Sequence, residues 1–268
     1  MSVAWGRRFR GRDWPVVRAV LFDIGGTLVE FVPEETYRRG LEDGSRLAYD
    51  WLREHGKALP PYDEFARRQK RALSWSQFWA RLTGRELRAQ RVVLRTLAHM
   101  GIEVLPEEIY DLTDRSYRPF GEMLRPKEGA REVLAQIARM GLRLAAVSNT
   151  AWPGYLIEED LGRFGLTEHL EFCLFSSYFG RPKPARSIFR QALLMLRVAP
   201  AEALFVGDSA REDMGGARRV GMRTVFISGN SPEARADWRI ARLAELLPIL
   251  SQLTHRQPSP GKEETEHD

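Results

Sequence analysis

The sequence predicts a doubly wound, mostly parallel α/β sheet that is interrupted once by a block of helices. Short β-branched apolar runs alternate with amphipathic helical segments at both ends of the 268-residue chain. This alternation is typical of a parallel sheet with helices on both faces. Between residues 33 and 119 the alternation stops and helical spacing of apolar residues dominates. The sequence therefore predicts one α/β core domain, residues 16–32 and 120–256, with a helical domain inserted into it.

The core begins with a strand at residues 16–22, VVRAVLF, which ends at Asp23 and is broken by Gly25 and Gly26. The apolar run is continuous, as expected for a strand buried on both faces of a parallel sheet. Further strands are predicted at 142–147, 172–175, 203–206 and 223–227. Helices are predicted between and after them at 128–140, 155–164, 184–197, 212–220 and 243–253.

The inserted block is predicted to hold helices at 34–54, 62–82, 85–100 and 106–116, separated by glycines and prolines. It follows the loop after the first strand, and so leaves the sheet at its carboxyl end, where ligands of open α/β sheets bind. Residues 33–119 are therefore predicted to cap the site. Trp75, Phe78 and Trp79 have helical spacing, and we expect them to pack in the core of this cap.

The net charge of +5, from 41 Lys and Arg against 36 Asp and Glu, raises the question of a nucleic-acid partner. Residues 1–18 alone carry five Arg and one Asp. We therefore predict a basic N-terminal arm at residues 1–15 rather than a basic surface of the fold, and the sequence does not favour nucleic-acid binding. Residues 257–268 are polar and are predicted to form a disordered tail.

Composition also excludes several classes of protein. The single cysteine excludes a disulfide framework and a multi-cysteine metal site. Every apolar run is shorter than the ~20 residues that a membrane helix needs, and no apolar run follows the basic start, as it would in a secretory signal. We expect a cytoplasmic monomer or homodimer with no membrane partner.

Polar residues at the ends of the predicted strands carry the chemistry. They are Asp23 in LFDIGGTLV, Ser148 and Asn149 in VSNT, Lys183 in GRPKPARS, and Asp208 and Asp213 in GDSAREDM. Strand ends of a doubly wound sheet can converge on one pocket. Three carboxylates suit a hard cation such as Mg²⁺. A metal with a lysine, a hydroxyl and loop amides around it is typical of a phosphate site.

These four segments, in this order, resemble the motifs of the haloacid dehalogenase-like (HAD) hydrolase superfamily, in its helical-cap type. The most specific is GDSAREDMGGARRVGM, and the resemblance extends over residues 16–253. It implies a Rossmann-like core and a Mg²⁺-dependent phosphatase that acts on a small phosphorylated substrate, a phosphomonoester, through an aspartyl-phosphate.

The resemblance also implies roles for individual residues. Asp23 matches the nucleophile, and Ser148 and Lys183 match the catalytic groups that hold the phosphoryl oxygens. Asp213 matches the residue that orients metal-bound water, and Thr27 a residue that stabilises the loop after the nucleophile. The implied metal ligands are Asp23, the carbonyl of Gly25, Asp208 and Asp213. The implied phosphate-binding residues are Gly26, Ser148, Asn149 and Lys183.

One position departs from the family pattern: Gly25 stands where phosphatases usually carry the acid/base aspartate. Loss of such a group costs about 10²- to 10⁴-fold in rate. Three interpretations stay open. The enzyme acts slowly or on good leaving groups; or the cap or its hinge supplies an acid, such as His55, His99 or Glu30; or the chain is a catalytically weak or inactive relative that binds phosphate or a protein partner.

Two other branches of the superfamily also lack this aspartate. The dehalogenases need no leaving-group proton, but they lack the acids that correspond to Asp208 and Asp213 and use no metal. The phosphonate-cleaving branch uses a cap lysine, for which Lys57 and Lys70 are the candidates here, and the sequence around them marks neither.

Overall fold

The computed structural model describes residues 15–31, 34–227 and 234–254. The predicted arm, apart from residue 15, and the predicted tail lie outside these ranges. The strands are β1 (Ala19–Phe22), β2 (Val29–Phe31), β3 (Leu124–Pro126), β4 (Arg143–Ser148), β5 (Cys173–Phe175), β6 (Ala203–Gly207), β7 (Arg223–Ile227) and β8 (Trp238–Ile240). The helices are α1 (Glu34–Glu54), α2 (Tyr62–Thr83), α3 (Ala89–His99), α4 (Pro106–Gly121), α5 (Ala130–Arg139), α6 (Gly154–Arg163), α7 (Ser176–Phe179), α8 (Arg186–Met195), α9 (Gly215–Val220) and α10 (Leu246–Thr254).

The central sheet confirms the predicted fold class. Its order is β5-β4-β1-β6-β7-β8, and each neighbouring pair is parallel. Alternate residues of β1 face opposite sides. Val20 and Phe22 pack in one hydrophobic layer, and Ala19 and Leu21 in the other. Because helices cover both faces, the strand is apolar throughout, and this unbroken apolar run is the feature that predicts it.

The helices α1 to α4 occupy the predicted insertion. They follow β2 and precede β3, and these two short strands pair antiparallel, with Glu30 opposite Arg125. The chain therefore leaves the core and returns to it at one place. The four helices share their own hydrophobic cluster, which includes Trp51, Phe65 and Leu112.

The structure corrects the limits of several predicted elements. The first strand begins at Ala19 rather than residue 16, and the predicted helix 85–100 begins only at Ala89. The helix predicted at 106–116 continues to Gly121, so the predicted boundary after residue 119 falls inside a helix. We therefore propose Gly121 as the end of the cap. The short elements β2, β3, β8 and α7 were not predicted, because three or four residues carry too little periodicity.

The aromatic residues of α2 were predicted wrongly. Trp75, Phe78 and Trp79 are 61%, 55% and 45% exposed. Among the described residues, Phe65 is the contribution of α2 to the buried cap cluster, and it lies near the start of the helix. Helical spacing predicts that Trp75, Phe78 and Trp79 share a face, but it does not show whether a neighbouring helix covers that face.

Within the described ranges, each helix is too short or too polar to span a lipid bilayer.

Candidate active site

The register of three adjacent strands brings the predicted site residues together. Phe22 of β1 is level with Ala146 of β4 on one side and Val206 of β6 on the other. Asp23 therefore lies within one residue of the level of Ser148 and Asp208. The Asp23 N–H donates to the carbonyl of Val206 at 2.9 Å, which continues the pairing past the strand end.

A buried ion triad joins Asp23, the candidate nucleophile, to Asp213 through Lys183. The Lys183 Nζ donates to Asp23 Oδ1 at 2.6 Å and to Asp213 Oδ1 at 2.7 Å. All three residues are buried. Burial alone would lower the pKa of Lys183, but the two carboxylates outweigh it and hold that pKa above its usual value. The two carboxylates therefore favour the cationic form of Lys183.

The carboxylates carry more negative charge than Lys183 neutralises. Burial raises the pKa of Asp23 to about 7, the charges of Asp213 and Asp208 add to the rise, and Lys183 opposes it. Burial likewise raises the pKa of Asp208, with Asp213 contributing. The site therefore holds uncompensated charge that a cation would stabilise.

Local backbone geometry places Asp213 and Asp208. Asp213 lies in a single π-helical turn, Ala210–Met214, and its Oδ2 accepts the Ser209 N–H at 2.9 Å. A Cβ on Gly207 would overlap the Asp213 carboxyl, and a Cβ on Gly26, at φ +77°, would overlap the Asp208 carboxyl. Only glycine allows the backbone so close to these groups.

Lys183 reaches the site differently from the prediction. It does not lie at the end of β5, because α7 intervenes, and it precedes α8. The Asn149 side chain holds its main chain instead: Nδ2 donates to the Lys183 carbonyl at 2.9 Å, and Oδ1 accepts the Lys183 N–H at 2.7 Å. Asn149 therefore positions Lys183, and its side-chain groups are engaged in doing so.

The other predicted residues lie beside this triad. In the part of the chain that the structure describes, no hydrogen bond involves the Ser148 hydroxyl, and the buried Thr27 hydroxyl has no partner. The Gly26 N–H donates to Val29 at 2.7 Å, and Gly25 forms an isolated bridge with Val29. The turn after Asp23 is thus held by its backbone, rather than by the Thr27 hydroxyl.

The donor set fits Mg²⁺. Ligand oxygens of Asp23, Asp208 and Asp213 lie within 4.8 Å of one another. Carboxylate oxygens are the ligands that this hard cation takes, and the excess negative charge at these three residues favours it. The residues that could hold the ion are these three, and the family resemblance adds the Gly25 carbonyl to them.

Sequence reasoning missed the groups that the cap adds to this end of the sheet. The loop after α2 lies against the core, where the Glu86 N–H donates to the Gly180 carbonyl at 3.2 Å and the Glu86 carboxyl pairs with the Ser176 hydroxyl. Glu86 was assigned to the first turn of a helix, and no pattern distinguished it there. The sequence signal for this loop is Gly84, which ends α2 in the left-handed conformation two residues before Glu86.

The residues that the sequence suggested as replacements for the missing acid contact other groups, away from the Asp23–Lys183–Asp213 triad. Nδ1 of His55 and of His99 each lies at the carbonyl four residues earlier, of Trp51 and Arg95. Glu30 accepts from Lys127 at 2.7 Å. As for the candidate Schiff-base lysines, Lys57 pairs with Glu108 at 2.9 Å, and Lys70 lines a surface depression on α2.

Comparisons with known proteins identify the family of this chain. The model of the haloacid dehalogenase-like hydrolase family matches residues 17–221. A haloacid dehalogenase-like hydrolase domain-containing protein 3 of Bos taurus is 39% identical over 126 residues, which are 47% of this chain and 49% of that protein. A phosphoserine phosphatase of Thermus thermophilus is 30% identical over 252 residues, 86% of this chain and 98% of that protein. The chain thus matches about half the length of the bovine relative.

Solved structures show the same fold. A 2-haloacid dehalogenase from Pseudomonas syringae has a TM-score of 0.62 at 21% identity, covering 88% of this chain and 99% of that chain. An HAD phosphatase from Thermococcus onnurineus has a TM-score of 0.58 at 26% identity, covering 87% and 98%. With a family model matching most of the chain and its four motifs meeting at one end of the sheet, this protein belongs to the haloacid dehalogenase-like hydrolase family.

Proposed function

We propose that this hydrolase is a Mg²⁺-dependent phosphatase that acts on a small phosphomonoester through an aspartyl-phosphate. The observation that carries the proposal is the buried contact of Lys183 with both Asp23 and Asp213, beside Asp208. A lysine in this place favours the ionised form of Asp23 and offsets its repulsion of an anionic substrate. Asp208 and Asp213 favour this chemistry over metal-free dehalogenation.

In this mechanism Asp23 Oδ attacks the phosphorus, and the bond from phosphorus to the ester oxygen breaks. Lys183 and the Ser148 hydroxyl hold the phosphoryl oxygens, while the Asn149 side chain fixes the main chain of Lys183. Gly26, which the sequence also assigned to phosphate binding, donates its N–H to the Val29 carbonyl instead. When bound by Asp23, Asp208, Asp213 and the Gly25 carbonyl, Mg²⁺ supplies positive charge against the phosphoryl oxygens. Water then cleaves the aspartyl-phosphate and restores Asp23.

The proposed substrate is a small phosphorylated metabolite. Support comes from relatives that match nearly their whole length and whose names refer to such compounds, the phosphoserine phosphatase among them. The cap would set the choice among metabolites, because it covers the carboxyl end of the sheet. We further propose that the enzyme works in the cytoplasm as a monomer or homodimer.

The test uses p-nitrophenyl phosphate, whose leaving group needs no proton. We expect turnover with Mg²⁺, its loss with EDTA, and a fall of at least about 10³-fold in kcat for Asp23→Asn, because the nucleophile is gone. Asp50→Asn is the matched control, since Asp50 pairs only with Arg53 on the surface of α1 among the described contacts. We expect this control to keep the wild-type rate.

Gly25 favours a second candidate, a catalytically weak or inactive relative that binds phosphate or a protein partner. This alternative predicts no metal-dependent turnover of p-nitrophenyl phosphate, or of a panel of phosphorylated metabolites, together with measurable phosphate binding by calorimetry. That combined result would overturn the phosphatase proposal and favour the inactive, phosphate-binding relative.

A further inference from the structure

Gly25 leaves the proposed reaction without its usual proton donor, and the cap brings another carboxyl to the same end of the sheet. We propose that Glu86, in the loop between α2 and α3, is the general acid and base of this site. The inference rests on the proposed phosphatase function and adds a catalytic residue to it.

Backbone hydrogen bonds hold the Glu86 loop against the core at Glu86 itself and three residues after it. The Glu86 N–H donates to the Gly180 carbonyl at 3.2 Å, and the Ala89 N–H donates to the Ala151 carbonyl at 2.8 Å. Ala151 lies in the loop that follows β4 and Gly180 in the segment that follows β5, so both contacts lie past the carboxyl ends of those strands. This is the end of the sheet at which Asp23 follows β1.

The Glu86 carboxyl is linked to the predicted phosphate-binding loop through Ser176. Ser176 is fully buried, and its hydroxyl pairs with Glu86 Oε2. The same hydroxyl accepts the N–H of Thr150 at 2.9 Å. Thr150 is two residues from Ser148, so two hydrogen bonds and a short stretch of backbone connect Glu86 to the residue proposed to bind the phosphoryl group.

A general acid must hold its proton near the working pH. Burial raises the pKa of Glu86, and the nearby charge of Glu212 adds to the rise, while the hydrogen bonds from Ser176 and the Leu87 N–H oppose it. The environment therefore favours the protonated form more than water does. Glu212 itself accepts from Asn149 Nδ2 at 3.0 Å, which places it at the rim of the same site.

The Ser176 hydroxyl can form a hydrogen bond with the Glu86 carboxyl in both protonation states of Glu86. With Glu86 ionised, the Ser176 hydroxyl donates to the carboxylate. With Glu86 protonated, the carboxyl donates to Ser176 Oγ, and the serine proton turns to the Thr150 carbonyl, 3.4 Å away. Neither state leaves a buried donor without an acceptor, which a group that gains and loses a proton in each cycle requires.

In the proposed reaction the leaving oxygen faces the cap. Attacking and leaving oxygens are roughly in line through phosphorus, so the leaving oxygen points away from Asp23 and the sheet. As the bond from phosphorus to the ester oxygen breaks, its electron pair stays on that oxygen, which takes the Glu86 proton and departs as an alcohol. In the second step the Glu86 carboxylate takes a proton from water while the water oxygen bonds to phosphorus, and the phosphorus–Asp23 bond electrons return to the aspartate.

The test compares Glu86→Gln with wild type on glycerol 2-phosphate and on p-nitrophenyl phosphate. For the alkyl ester, whose leaving group needs a proton, we expect kcat to fall by about 10²- to 10⁴-fold. For the nitrophenyl ester, the attack of Asp23 still releases nitrophenolate without a proton donor, but hydrolysis of the aspartyl-phosphate slows because its base is missing. We therefore expect a burst of one nitrophenolate per enzyme, followed by slow turnover. Glu107→Gln is the matched control, because Glu107 is exposed on α4; a thermal melt verifies folding of each variant.

Gly25→Asp provides a second, independent readout, since it places a carboxyl where the family pattern has its acid. We expect Gly25→Asp to restore alkyl-ester turnover in the Glu86→Gln background. The inference is overturned if Glu86→Gln keeps wild-type turnover of the alkyl ester, or if it loses both substrates equally with no burst and no rescue. Absence of Mg²⁺-dependent turnover in the wild type would instead refute the phosphatase proposal, so the two failures are distinguishable.

Discussion

Lys183 shows how a single buried side chain can organise the proposed chemistry. Its ammonium lies between Asp23 and Asp213, and its side chain is 2% exposed. Two buried carboxylates left without this cation would be costly, because charge in the protein interior is poorly solvated. The same contact that holds the proposed nucleophile in place therefore also stabilises the fold around it.

We expect Lys183→Met to lower the free energy of unfolding by about 3–5 kcal/mol, because it leaves two buried carboxylates unpaired. Lys127→Met is the control: Lys127 also pairs with a carboxylate at 2.7 Å, that of Glu30, but both side chains are partly exposed. Such an exposed pair contributes under about 1 kcal/mol. Urea unfolding in EDTA measures both variants, and equal losses would show that burial of the triad does not decide its strength.

Helix α2 shows that one element can have two different environments. Phe65 near its start is buried in the cap cluster, whereas Phe78 near its end is 55% exposed and contacts Trp75 and Trp79 through ring edges or stacking. At about 100° per residue, Phe78 lies about 140° around the helix from Phe65, so the two phenylalanines are on different faces of α2. Their contributions to the free energy of unfolding should differ, because folding removes nearly all of the Phe65 ring from water but only part of the Phe78 ring.

We expect Phe65→Ala to lower the free energy of unfolding by about 3–5 kcal/mol, the range for a buried phenylalanine. Phe78→Ala on the same helix should change it by no more than about 0.5 kcal/mol, as for an ordinary surface substitution. Chemical denaturation of both variants is the measurement. A large loss for Phe78→Ala would mean that another surface covers this part of α2 in solution.

At the scale of the whole molecule, crossed tyrosine–aspartate pairs join the inserted helices to the core. The Tyr117 hydroxyl of α4 donates to Asp160 of α6, and the Tyr155 hydroxyl of α6 donates to Asp114 of α4 at 2.6 Å. Arg163 also pairs with Asp160. Burial raises the pKa of Tyr117 above its ordinary value, and Asp160 adds to the rise, so this donor keeps its proton.

Tyr117→Phe should therefore lower the free energy of unfolding by about 1–3 kcal/mol, because it removes a donor from the buried Asp160 carboxylate. Tyr110→Phe is the control on the same helix, with Tyr110 60% exposed, and we expect no measurable change there. Equilibrium unfolding of the two variants measures the difference. If Tyr117→Phe loses no more free energy of unfolding than Tyr110→Phe, the Tyr117–Asp160 pair does not stabilise the fold.

Much of this protein followed from its sequence. The central strands and the inserted helices were predictable, because strong hydrophobic periodicity over a strand or a long helix reflects burial directly. Asp23, Ser148, Lys183, Asp208 and Asp213 were predictable as a group, since their residue types and order match one kind of site. The presence of Gly25, and hence the missing acid, is likewise a property of the sequence alone.

Tertiary structure decided what depends on distant segments meeting. It showed that the Asn149 side chain hydrogen-bonds the main chain of Lys183 and that the later aromatic residues of α2 are exposed. It also showed that Glu86 of the cap contacts Ser176 of the core. Residues 86 and 176 are ninety positions apart, and no local pattern relates them. Periodicity reports which face of an element is apolar, whereas the partner of that face, and the pKa of a carboxyl placed against it, depend on how the elements pack.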